Sequence, residues 1–198
     1  IAMGCNDNER AEKILGNCTM MLIICSIILS VFFMITKDKI LIMFGASENT
    51  LPYASSYITI YLIGTMFLQL TLGLNAFITN QGFTKTSMIT ICIGAVLNII
   101  LDPIFIFVFH LGVQGAALAT IISQGISCIW VLKFLTGNKT HIKIRIKNLR
   151  LSKQIVFLVI SLGISPFVMQ STDCFIQLVF NNGMLKYGND SYVALMSI

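Results

Sequence analysis

Met88-Ile-Thr-Ile-Cys-Ile-Gly-Ala-Val-Leu-Asn98-Ile-Ile-Leu-Asp102-Pro103-Ile-Phe-Ile-Phe-Val-Phe109 decides the fold. The stretch is long enough to cross a bilayer, which takes about 20 mostly apolar residues. Asp102 is its one formal charge, and no other falls between Lys85 and Lys133. A carboxylate at bilayer depth costs at least ~2.5–3.5 kcal/mol on insertion scales, so a chain that keeps one there generally uses it to bind or carry something. The plain alternative is a carboxylate near a helix end that snorkels to the headgroups.

Outward from this stretch the rest of the chain reads the same way. It has 198 residues, 56% hydrophobic and 11% charged, where a soluble domain carries roughly 25% charged residues. So much apolar surface cannot be hidden in one soluble core, and lipid is the natural solvent. Ile1 to Arg10 is mixed and polar, unlike the basic-then-apolar start of a secretory signal. The chain opens without Met and stops inside an apolar run beginning at Tyr192. It is therefore expected to be a piece of a longer membrane protein.

Charge-free windows locate the spans. One lies between Lys13 and Lys37, a second has its apolar core at Ile58–Phe77, and the third is Met88–Phe109. A fourth covers Gly115–Leu132, a fifth Ile155–Phe180 broken only by Asp173, and a sixth begins at Tyr192. None shows sustained alternation of apolar and polar residues, which excludes a transmembrane barrel. Backbone groups in lipid must be paired within their own segment, so these runs are helices. The fold class is an all-α polytopic membrane bundle. Asn49-Thr50 before Pro52 reads as a helix start and Gly137-Asn138 as a helix end. Pro166, inside the fifth span, is expected to kink it.

Loop charges set the orientation. Ten of the thirteen basic residues fall in three loops, around residues 1–17, 80–87 and 133–153. Lys37, Lys39 and Lys186 lie on the other side. Lys and Arg favour the cytoplasm, so those three loops are predicted cytoplasmic in a multi-pass protein of the plasma (inner) membrane. The basic run His141-Ile-Lys143-Ile-Arg145-Ile-Lys147 is expected to be a connector lying on the headgroups, since juxtamembrane basic clusters commonly meet anionic lipid. No nucleic-acid partner is implied; membrane lipid is.

Asn98 and Asp102 are four residues apart and share one helix face. Pro103 leaves a backbone carbonyl one turn back without its donor. Carboxylate, amide and carbonyl together can accept a proton or coordinate Na⁺ through oxygen, as at broken transporter helices. Gly115, Ala116 and Ala119 make a small-residue face that lets two helices approach closely. With the short turn His110-Leu-Gly112, it predicts that the third and fourth spans pack as an antiparallel pair. Thr120 near that interface could ligate a cation or bond back to its own helix. His110 reads as an exposed loop end and Trp130 as an interfacial anchor. Tyr57 and Tyr61, one turn apart, are explained equally well by interfacial anchoring. Gln170 and Asp173 share a face in the fifth span. The six cysteines have no C-x-x-C spacing, and no zinc pattern is present. Hydrolase, protease, P-loop and dinucleotide motifs are also missing, so the sequence does not read as an enzyme.

Asn98-x-x-x-Asp102-Pro103 followed by Gly112-Val-x-Gly115-Ala-Ala-x-Ala119-Thr120-x-x-Ser123-Gln124 resembles the fifth and sixth helices of the multidrug and toxic compound extrusion (MATE) transporters. Gly4-x-x-Asp7-x-Glu9-x-Ala11-x-x-Ile14-Leu15-Gly16-Asn17 resembles the loop between that family's second and third helices. Gly163-Ile-Ser-Pro166-Phe-x-x-Gln170 and Leu185-x-Tyr187-Gly188-x-Asp190 resemble the start of its seventh helix and the turn after it. The resemblance implies a twelve-helix protein of two lobes. Residues 1–136 would be part of the N-lobe, 137–153 the basic inter-lobe linker and 154–198 the start of the C-lobe. The remaining helices of the full-length transporter would complete it.

The implied function is a secondary antiporter that exports small organic, often cationic, compounds in exchange for Na⁺ or H⁺ by alternating access. It needs no cofactor beyond that coupling ion and no metal beyond Na⁺ at Asp102. Carried over by motif, Asp102, Asn98, Thr120 and Tyr57 match the N-lobe cation site. Asp173, with Gln170 beside it, falls near a C-lobe acid that is Glu in other members. Two alternatives remain open at this point. A flippase for lipid-linked oligosaccharides of related architecture would need a more basic cavity. A membrane-embedded enzyme would need Asp102 and Asp173 to face one cavity.

Overall fold

A computed structural model describes residues 7–187. The described chain forms α1 (Asn8–Met43), α2 (Leu51–Asn80), α3 (Thr84–Pro103), α4 (Gly112–Thr136) and α5 (Lys153–Tyr187). A π-helical turn, Ile104–Val108, extends α3, and a short 3-10 turn, Ile146–Asn148, sits in the linker before α5. Each of the five helices is long and apolar enough to cross a membrane. The expected run from Tyr192 lies outside the described residues.

Helix ends depart from the sequence reading. Residues 8–17, expected as a loop, are the first turns of α1, because Asp7 Oδ1 caps the helix by accepting from the Arg10 amide at 3.0 Å. Lys37 and Lys39, read as loop residues, are likewise helical. At 36 residues α1 is about 54 Å long and outreaches a hydrocarbon core of about 30 Å. Its last turns are tied to α2 through Lys37 to the Thr59 hydroxyl and Ser55 Oγ to Asp38 at 2.8 Å. Thr50 stands at the start of α2 with Pro52 behind it, but its hydroxyl bonds Ser47 rather than capping the helix. Pro166 lies inside α5, which continues through it.

α2, α3 and α4 pack on one another, α1 lies against α2, and among the described helices α5 touches only α1. The buried core is concentrated at the end that carries the basic linker. Leu15 of α1, Leu70, Leu74 and Ile78 of α2, and Val131 and Leu135 of α4 are almost fully enclosed there. Elsewhere the bundle shows a near-continuous apolar exterior, including Ile27, Phe32, Ile63, Ile91, Ile99 and Phe107. A water-soluble monomer rarely exposes apolar patches larger than a few hundred Å², so this surface belongs against lipid or other apolar helices.

One side of the linker turns inward onto the bundle. Its inner residues close the basic end of the bundle. Gln81, in the tight α2–α3 turn, offers one oxygen to three donors: the Thr140 hydroxyl at 2.6 Å and the amides of His141 and Ile142 at 3.1 and 3.0 Å. Ile142, 1% exposed, plugs the core beneath. The Ile144 amide donates to the Leu135 carbonyl at 3.0 Å, and Arg145 pairs with the mostly buried Glu12 at 2.8 Å. Asn17 Oδ1 accepts from the Ser152 amide at 2.6 Å. Gly16 is required where α1 meets the 3-10 turn, since a methyl there would stand 2.7 Å from the Asn148 carbonyl carbon.

Replacing Gln81 with Leu takes the acceptor from the His141 and Ile142 amides, while the Thr140 hydroxyl keeps the Ile142 carbonyl at 2.9 Å; a buried donor left unpaired costs about 1–3 kcal/mol. The Gln81→Leu protein is expected to be cut by trypsin at Lys143, Arg145 and Lys147 markedly faster than the parent, with unchanged helix content. Equal cleavage rates would show that the linker is held by other contacts.

Candidate functional site

The site forms where the close approach of α3 and α4 is tightest. Pro103 has no amide hydrogen to give the Ile99 carbonyl, and the regular ladder ends there. The chain widens into the π-helical turn, closed by Phe109 N–H to Ile104 O at 3.0 Å and Leu111 N–H to Phe105 O at 3.1 Å. His110 (φ 52°) and Gly112 (φ 54°) then turn it back into α4. Gly115 packs directly under the widened turn: a methyl there would lie 2.7 Å from Phe105 O. The small-residue face read from the sequence is therefore a backbone-to-backbone contact.

That contact brings α4 within reach of the polar face of α3. The Asn98 amide donates to Asp102 Oδ1 at 3.3 Å and to Thr120 Oγ1 at 3.3 Å. Thr120 donates onward to the Ala116 carbonyl at 2.9 Å, so its hydroxyl both bonds back to its own helix and joins the cluster. Asp102, Asn98 and Thr120 are all half-buried. Asp102 lies about 21 Å along the helix from Met88, in the half of the span remote from the basic end.

Asn98 and Thr120 also border a cavity of about 230 Å³ between α2, α3 and α4, which continues towards the basic end as far as Thr90 and Ser127. Its hydroxyl protons are spent on backbone carbonyls: Thr90 on Thr86 O at 3.0 Å, Ser123 on Ala119 O at 2.8 Å and Ser127 on Thr90 O at 3.3 Å. Their oxygens retain lone pairs, so the wall is rich in acceptors beside a carboxylate. Such a wall suits a proton, a hard cation or an organic cation rather than an anion.

Other residues singled out from the sequence stand apart. Tyr57 stacks on Tyr61 with ring centroids 5.9 Å apart and makes no hydrogen bond to Asp102, Asn98 or Thr120. Asp173 and Gln170 are exposed on α5, which does not touch α3 or α4. Asp102 and Asp173 therefore do not form a pair among the described residues, and the aspartyl-enzyme reading loses its geometry. His110 is exposed at the turn. The polar wall of Thr90, Ser123 and Ser127 was not singled out as a site from the sequence, although hydroxyls four residues apart on α4 were its visible trace.

The MatE family model matches residues 2–104, just over half of the chain. The chain belongs to the MATE family. Among curated relatives, the multidrug export protein MepA of Staphylococcus aureus (strain NCTC 8325 / PS 47) is 33% identical over 153 residues, covering 77% of this chain and 34% of that protein. MepA of Staphylococcus haemolyticus (strain JCSC1435) is 32% identical over 167 residues, covering 84% and 37%. The chain thus spans about a third of the length of these relatives. Two solved structures share the fold at 22% identity, each covering 99% of this chain and 44% of the other. One is a MOP superfamily transporter from Pyrococcus furiosus, with TM-score 0.86. The other is a MATE structure in the bent conformation, with TM-score 0.85. This MATE chain is accordingly a multi-pass membrane protein of a multidrug efflux transporter family.

Overpacking a tight contact costs about 1–3 kcal/mol. Gly115→Val is expected to lower the unfolding temperature of the detergent-solubilised protein. Val113→Ala, at an exposed site on the same helix, serves as control and is expected to leave it unchanged. Equal behaviour of the two variants would remove the backbone contact from the account.

Proposed function

We propose that the chain is part of a secondary active exporter in which Asp102, held by Asn98 and linked through it to Thr120, takes the coupling ion. The observation that carries this reading is the bridge itself: one amide, inside a membrane bundle, donating to a carboxylate and to a hydroxyl on the facing helix. A charge kept at that depth and wired to a second helix can report its occupancy to helix packing. Only differential affinity for two lobe arrangements lets an ion drive alternating access. Loss or gain of the Asp102 charge weakens or strengthens its bond from Asn98, because a bond to an ionised acceptor is about twice as strong as a neutral one, and so biases one arrangement of α3 and α4.

The coupling ion is Na⁺ or H⁺. A proton on the second Asp102 oxygen leaves the Asn98 bond in place. Na⁺ needs the Asn98 amide turned so that its oxygen faces the carboxylate. The cargo is a small organic, often cationic, compound, in keeping with the acceptor-rich cavity and the multidrug export relatives. No enzymatic step and no cofactor beyond the ion enter this scheme. Residues 1–136 serve as part of one lobe, 137–153 as the connector and 154–198 as the start of the second. The basic end faces the cytoplasm of a plasma-membrane protein. Tyr57, Asp173 and Gln170 stand outside this hydrogen-bonded cluster.

Asp102→Asn in the intact transporter is expected to abolish ethidium efflux at unchanged membrane abundance. Thr120→Ala removes one hydrogen bond, worth about 1 kcal/mol, and is expected to weaken coupling roughly fivefold without abolishing it. Varying external Na⁺ and pH separately, efflux should follow pH with Na⁺ absent. Full efflux by Asp102→Asn would end the proposal; strict dependence on Na⁺ would transfer it to the turned amide.

A further inference from the structure

The α3–α4 pair holds a second cavity at its basic end, of about 370 Å³, lined by Thr86, Trp130, Lys133, Phe134, Asn138 and Lys139, with Gly137 at its edge. Among the described residues no acidic side chain lines it. Lys133 extends from the last turns of α4, and Lys139 from the first residues of the linker. A third ammonium, Lys143, donates to Asn138 Oδ1 at 2.8 Å, which leaves the Asn138 amide hydrogens as donors. Thr86 and the Trp130 indole bring further donors. Phe134, fixed edge-on against Phe83 at 5.2 Å, gives the cavity an apolar side. The cavity is thus a cationic, donor-rich cup, the opposite of the acceptor-rich wall near Asn98.

Its depth matters as much as its charge. The apolar part of α4 ends beside it, and a tryptophan at its rim is the residue type that settles at the headgroup level. On α4, Ile122, Ile126 and Trp130 stand four residues apart in one exposed row, with Ile129 exposed next to it, 65% open. This apolar stripe leads from the cup into the hydrocarbon region. A phosphate free in water would use the cup and have no use for the stripe; a phospholipid uses both.

We propose that this cup is a binding site for the phosphate of an anionic phospholipid, whose acyl chain lies along the Ile122–Ile126–Ile129 stripe. Lys133 and Lys139 neutralise the headgroup, and Thr86, Trp130 and Asn138 donate to its oxygens. Because the cup is built partly from the start of the linker, the bound lipid joins α4 to the segment that Gln81 holds from the other side.

Trp130 reports the site directly. The intact protein is reconstituted in phosphatidylcholine vesicles containing a brominated lipid that quenches nearby tryptophan. The Trp130 signal is taken as the difference from Trp130→Phe. Brominated phosphatidylglycerol is expected to occupy the cup roughly 25-fold in preference to brominated phosphatidylcholine, read from the lipid fraction at which each quenches Trp130 by half. Each lysine should supply roughly fivefold of that preference, as for one basic side chain at an anionic surface. Lys133→Gln with Lys139→Gln should remove the preference, and Lys133→Arg with Lys139→Arg should keep it, with all variants retaining parental helix content. Equal quenching by the two brominated lipids, or a preference unchanged in the double Gln variant, would overturn the site. Loss of the preference on adding millimolar inorganic phosphate would overturn the lipid assignment, because the cup would then take phosphate without the acyl chain.

Discussion

Everything at the polar centre depends on how closely two backbones meet at Gly115. A carboxylate and an amide on α3 could exist without α4, as any pair four residues apart can. What makes them a site is that Thr120 comes within 3.3 Å of Asn98. Thr120 is five residues beyond Gly115, a little over one turn, so its position follows from how deep α4 sits against the widened turn of α3. The widening follows in turn from Pro103, which cannot complete the helical ladder. A missing amide hydrogen, a π-helical turn and a missing side chain on the facing helix are therefore one device. Its product is a hydrogen-bonded line from Asp102 to the Ala116 carbonyl.

The two ends of the bundle are built differently. The basic end is closed by long side chains from α1, α2 and α4 and by the linker, whose Thr140 and Ile142 are as buried as any core residue. Gln81 accepts three bonds there while its own amide nitrogen has no partner. The receptor is matched to an extended strand of linker, not to a side chain, and that is how it can hold a segment about sixty residues away in sequence. Past the linker, among the described residues α5 leans only on α1. On the proposed two-lobe reading, the connector moves with the first four helices, and freedom between lobes begins near Ser152.

Spans, antiparallel pairing of α3 and α4, and the small face at Gly115 were legible because each rests on local spacing. Apolar runs of bilayer length need no partner to be recognised, and Asn98 with Asp102 share a face on any helix. The beginning of α1 was not legible from hydropathy, because a polar helix cap at Asp7 and an apolar run beginning near Ile14 are separate signals. Linker burial was missed for a different reason. The alternation at Thr140, Ile142 and Ile144 announced one apolar side, but only the fold shows that this side meets Gln81 and Leu135 instead of lipid. Tyr57 was assigned to the cation site by resemblance alone; its stacking on Tyr61 follows from their spacing on one helix, but the way that face turns relative to α3 depends on helix rotation, which sequence spacing does not fix.

Magnitudes decide why a charge can rest where Asp102 does. The insertion cost of ~2.5–3.5 kcal/mol belongs to the centre of a span. Asp102 is displaced towards one end and only half-buried, so its own cost is smaller. One hydrogen bond to a charged group returns about 1.5–3 kcal/mol. The Asn98 bond is therefore of the same size as the cost, and the carboxylate sits near balance rather than deep in a well or on a hill. On the proposed reading, near-balance is the condition under which binding of a single ion can tip the packing of two helices, and the α3–α4 contact is what sets it.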